Sequence, residues 1–106
     1  MTKDVKIDWE EIGYILSSKL RLKLLLYLTN RISTPTHLAK FLKEPRSRVS
    51  TALRELTDVS VVKCLTPNRK KGRLYTATKK GKDIVGKIHK MTNIFQPEEE
   101  KNYNLN

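Results

Sequence analysis

Pro45 stands between two stretches that each carry helical periodicity, and it forbids them from being one helix. Its ring has no N–H and pushes Glu44 out of the helical region. One helix therefore ends near Lys43, and another begins near Pro45 or Arg46. The first opens at Thr34-Pro35, where threonine supplies a capping oxygen and proline fits the first helical position. Leu38, Phe41 and Leu42 give it one apolar face. The second carries Val49, Ala52, Leu53 and Leu56 at helical spacing, with Ser47, Arg48, Ser50, Thr51 and Arg54 mostly opposite. Two short helices joined by a tight turn, with the small Ala39 where they cross, make a helix-turn-helix unit.

The flanking segments fit around this unit. Asp8 is placed to cap a helix whose first turn holds Glu10 and Glu11, and Trp9, Ile12 and Leu16 are expected to face inward. Ser17 or Ser18 caps the next, in which Leu20, Leu24, Tyr27 and Leu28 form the stripe, with Asn30 as its stop. After Leu56 the period changes from helical to alternating. Val61 to Thr66 and Arg73 to Thr78 read as the strands of a hairpin, with Pro67 and Gly72 bounding a loop longer than two residues. Thr78 caps a last helix from Lys79, with Ile84, Ile88, Met91 and Phe95 at spacings of four, three and four. The fold class is mainly α with one small antiparallel hairpin. Residues 1–7 are expected to be an arm, 8–95 one domain, and 96–106 a disordered acidic tail.

Charge is concentrated in one part of the chain. Of the net charge of +11, +9 comes from residues 61–90, which hold ten basic side chains and one acid, Asp83. Such a field points to a polyanionic partner. The only cysteine, Cys64, has no disulfide partner, and Cys64, His37 and His89 are too scattered for a metal cluster. No metal, cofactor or membrane span is expected, and a reducing, cytoplasmic location suits the composition. A phosphate-binding glycine loop and a nucleophile motif are both missing, so no enzyme is expected.

The pieces "LSSKLRLKLLLYL", "THLAKFL", "RVSTALREL", "VVKCLTP", the basic loop and "YTATKKGKDIV" follow in that order. Together they resemble the winged helix-turn-helix regulators of the MarR-like and ArsR-like kind, over roughly Ile15 to Ile88. The resemblance implies a homodimeric, sequence-specific transcriptional regulator that binds double-stranded DNA. It implies a recognition helix over 45–58, reading the major groove with Arg46, Ser47, Arg48, Ser50, Thr51 and Arg54. It implies a wing over 67–73, placing Asn68, Arg69, Lys70, Lys71 and Arg73 on the backbone or minor groove. Thr34, Thr36 and His37 would lie near a phosphate, and Trp9, Ile12, Ile84, Ile88, Met91 and Phe95 would form the dimer interface. The chain departs from the family at two points. Lys43-Glu44-Pro45 stands where members often carry glycine in the turn, and Ser60 where many carry glycine before the first wing strand.

The same charge serves other partners. A winged-helix module binding RNA or a protein, and a non-specific architectural DNA-binding protein, are the alternatives that the sequence leaves open. No small-molecule effector is legible.

Overall fold

The computed structural model describes residues 9–95, with side chains through Met91. The expected arm, the Asp8 cap, the tail and the Phe95 side chain lie outside the described residues. Helix α1 spans Trp9–Leu16, α2 Lys19–Leu28, α3 Pro35–Leu42 and α4 Arg46–Asp58. Strands β1 (Val62–Cys64) and β2 (Tyr75–Ala77) pair antiparallel, and α5 runs Lys79–Phe95. Among the described residues no helix is long and apolar enough to cross a membrane.

Caps set the boundaries where the sequence places them. Ser18 accepts a hydrogen bond from the Arg21 amide at 3.2 Å, and Thr34 from the His37 amide at 3.1 Å. Thr78 accepts from the Gly81 amide at 3.1 Å and opens α5. Pro45 precedes α4 without a side-chain cap. The two positions where the family's glycine is replaced keep the geometry that glycine serves. Lys43 has φ +58° and Ser60 has φ +66°. In each case the next amide reaches back to close the preceding helix, from Glu44 to the Ala39 carbonyl at 3.0 Å and from Val61 to the Leu56 carbonyl at 3.1 Å. A left-handed non-glycine residue costs about 1–2 kcal/mol, so both turns are held by these closures and by the packing of Leu42, Val59 and Val61 on the core.

The core joins one face of every helix to the hairpin. Leu24, Leu25 and Leu28 of α2, Leu38 of α3, Val49, Leu53 and Leu56 of α4, and Val61 and Val62 at the hairpin are essentially inaccessible. Ala77, Ile84 and Val85 close it from β2 and α5. The strands are shorter than the expected six residues each, because their ends leave this core: Leu65 and Arg73 are exposed. A single-residue bridge between Ser33 and Tyr75 lies on the outer edge of β2, through amide–carbonyl bonds of 3.1 and 2.8 Å. Thr76 adds a hydroxyl bond to the Arg31 carbonyl at 2.8 Å, so the segment before α3 is fastened to the hairpin.

Three expected inward residues are corrected. Trp9, Leu16 and Phe41 are exposed, and Ile15 is buried where Leu16 was expected. At roughly 100° per residue, Trp9 and Leu16 share the flank of α1 to one side of Ile12, while Ile15 lies on the other. The body of the domain meets the Ile12–Ile15 side. Phe41 packs sideways on Tyr27 rather than into the core.

Two ionic contacts tie the elements together. Arg21 of α2 bonds Glu55 of α4 at 3.0 Å and the Tyr14 carbonyl at 2.7 Å, with its guanidinium 3.8 Å over the Tyr14 ring. Lys80 of α5 reaches Glu11 at 2.6 Å and the Val59 carbonyl at 2.9 Å.

Candidate nucleic-acid interface

Helix α4 presents its polar residues in two rows. Arg46, Ser50, Arg54 and Thr57 recur at spacings of four, four and three, so they line one flank. Ser47, Arg48 and Thr51 line the other, in a shallow depression that also includes Ser18 and Glu55. Helical spacing separates the rows, and packing decides which of them faces the hairpin.

The first row opens onto the hairpin loop. Between them lies a groove of about 410 Å³, lined by Arg46, Ser50, Arg54 and Thr57 of α4, Pro35 and Thr36 of α3, and Lys70, Gly72, Arg73, Cys64 and Tyr75 of the hairpin. Four cations meet in this lining and no carboxylate does. Glu55 of α4 pairs with Arg21, and Glu44 with Arg48 at 3.3 Å; neither lines the groove. Thr57, Cys64 and Tyr75 are groove residues that sequence reasoning missed. No motif marks them, because they are neighbours only once β1 and β2 pair at Cys64 and Tyr75.

The loop shapes its own charge. A turn closes with the Arg69 amide on the Thr66 carbonyl at 3.0 Å, and Pro67 supplies the fixed φ such a turn favours. Gly72, at φ +64°, lets the chain return to β2. Arg73 donates from Nε to the Arg69 carbonyl at 2.6 Å, and Arg69 donates from Nη1 to the Gly72 carbonyl at 3.2 Å. The two guanidiniums thus brace the loop, while exposed Lys70 and Lys71 carry charge at its tip.

The other expected site residues fall in different places. Thr36 lines the groove. Thr34 is spent on capping α3. His37 does not line the groove; its Nε2 lies 3.1 Å from the Tyr27 hydroxyl. Ile12 and Ile84 are buried in the domain's own core, which removes them from any contact with a second chain. Trp9 remains exposed, and Ile88 and Met91 are half-buried.

Solved structures share this fold. A mutant of ZitR from Lactococcus lactis superposes with a TM-score of 0.65 at 22% identity, over 81% of this chain and 61% of ZitR. A MarR family regulator from Neisseria meningitidis gives 0.65 at 19%, over 84% of this chain and 64% of that one. HlyU from Vibrio cholerae gives 0.61 at 19%, over 86% of this chain and 97% of HlyU. The fold is a winged helix-turn-helix. No protein-family model and no curated protein sequence matches the chain, so the likeness is one of structure. In winged-helix terms α3 and α4 are the helix-turn-helix and the β1–β2 loop is the wing. The chain spans less than two thirds of the length of the first two of these structures.

Proposed function

We propose that this chain is a sequence-specific, double-stranded DNA-binding transcriptional regulator that acts in the cytoplasm as a homodimer, without catalysis. One observation supports the reading: α4 and the wing converge on a groove with four cations and no carboxylate in its lining. Duplex DNA matches that pattern, since phosphates flank base edges that a helix reads from the major groove. Arg46, Ser50 and Arg54 then read bases or the adjacent backbone, and Ser47, Arg48 and Thr51 lie toward the neighbouring phosphates. Lys70 and Lys71 hold the backbone at the wing.

The test is selection of bound fragments from random duplex DNA with RNA as competitor, followed by titration of the selected site. A single enriched motif is expected. Arg54→Ala should weaken binding to it by about 1–3 kcal/mol and relax preference at one position per half-site. Enrichment of RNA, or no enrichment of any duplex, defeats the proposal.

The dimer contact we assign to the terminal helices. Trp9 and Leu16 are both exposed on one flank of α1, an apolar surface of the kind that a partner covers. From α5, half-buried Ile88 and Met91 are assigned to the same contact. Trp9→Glu is expected to turn a dimer into a monomer in sedimentation velocity. A parent protein that sediments as a monomer at micromolar concentration ends this part of the reading.

A further inference from the structure

A second surface carries chemistry that DNA reading does not use. From residue 12 to residue 43 the chain has no Asp or Glu, yet it holds Lys19, Arg21, Lys23, Arg31, Lys40 and Lys43. In the middle of this acid-poor stretch, rings gather on the outside of the domain. Tyr27 of α2 lies 4.7 Å from Phe41 of α3, centroid to centroid. His37 stacks on Phe41 at 6.2 Å with 18° between the planes, and the Arg31 guanidinium lies 4.5 Å over the Tyr27 ring. Phe41 and Ile32 are each 58% exposed, although both are strongly apolar. On α2, exposed Lys23 precedes Tyr27 by four residues and so lies on the same side of the helix.

We propose that this patch docks an acidic segment of a partner protein, which sets an aliphatic or aromatic anchor against Phe41 and against Ile32, the residue that follows Arg31 in the chain. Three features choose that occupant. The cations beside the rings, Arg31 over Tyr27 and Lys23 on the same side of α2, complement an acidic chain. Exposed aromatic rings flanked by arginine are the residue types that carry interface energy. The rings are also already ordered by one another, so covering them needs little further ordering of side chains. Single-stranded nucleic acid fits less well, because bases stack on open ring faces. Here Arg31 covers one face of Tyr27, and Tyr27 and His37 both pack on Phe41.

The experiment uses the full chain and a fluorescein-labelled, glutamate-rich synthetic peptide carrying leucine and phenylalanine on one helical face. Its control has serine at both positions. Anisotropy titration is expected to show the anchored peptide binding at least roughly tenfold more tightly than the control, the effect of one well-covered anchor. Phe41→Ser should remove that difference, and the wing variant carrying Lys70→Ala and Lys71→Ala should keep it. Phe41 is exposed, so its serine variant is expected to fold; circular dichroism checks this, and Ile32→Ser provides a second variant with the same expected loss. Equal binding of the two peptides, or a difference that survives both Phe41→Ser and Ile32→Ser, overturns the proposal. So does an equal loss of oligothymidine binding on Phe41→Ser, which makes the patch a nucleic-acid surface. Conversion of a parent dimer to a monomer by Phe41→Ser also overturns it, since a second copy then covers the patch.

Discussion

Replacing Gly81 by alanine is expected to destabilise the fold by about 3 kcal/mol, the upper end of what overpacking usually costs. A Cβ at this position would come closer than 3.0 Å to the carbonyl oxygen of Val61, with the Leu25 side chain at 3.1 Å on the other side. That carbonyl cannot retreat cheaply, because it accepts the Thr78 amide at 3.0 Å. Thr78 in turn holds the Ser60 carbonyl at 2.7 Å and the Gly81 amide at 3.1 Å. The first turn of α5 therefore rests directly on the entry to β1, and only a residue without a side chain permits it. At about 4–8 °C per kcal/mol for a domain of this size, the melting temperature should fall by roughly 12–24 °C. Gly86 is the control. Nothing lies within 4 Å of a Cβ there, so Gly86→Ala should stabilise the helix by up to about 1 kcal/mol. Thermal melts of the two variants that coincide with the parent would show that α5 is not seated in this way.

The wing is expected to govern the salt dependence of DNA binding. Lys70 and Lys71 are exposed at the loop tip, while Arg69 and Arg73 are partly occupied with loop carbonyls. Each phosphate neutralised on duplex DNA contributes about 0.9 to the slope of log K against log salt. Lys70→Ala with Lys71→Ala should therefore reduce the magnitude of the slope by up to about 1.8 per wing, and by twice that for a dimer with both wings engaged. The loss should be nearly equal on a selected site and on a scrambled duplex, since phosphates carry no sequence information directly. Arg54→Ala should do the reverse, changing selectivity more than slope. Salt titrations of both proteins on both duplexes separate these outcomes. A slope unchanged by the lysine substitutions would leave the wing as a charged loop with no part in binding.

The features legible in the sequence were those that a few adjacent residues decide. Thr34-Pro35, Pro45 and Thr78 set helix boundaries through caps and a missing amide, and Pro67 and Gly72 marked the loop. These forces act within a turn or two, so the chain states them locally. The order of such signals, with basic charge gathered near the hairpin, was enough to point to a winged helix.

What the tertiary structure decided was direction. Helical periodicity gives a stripe but not which flank of it meets a neighbour, so Trp9, Leu16 and Phe41 face outward while Ile12, Ile15 and Ile84 are buried. Which row of α4 faces the wing was decided by packing, with the other row beside Glu55, which bonds Arg21 thirty-four positions away in the chain. The groove itself exists only where the wing folds back toward α4 and brings Lys70 and Arg73 to Arg46 and Arg54. Ser33 pairs with Tyr75 as a single residue, too short to leave any alternation in the sequence. Lys43 and Ser60 take left-handed turns that local preference assigns to glycine, because closing the helix before each, with Leu42 and Val59 packed on the core and Val61 buried in it, outweighs about 1–2 kcal/mol of backbone strain.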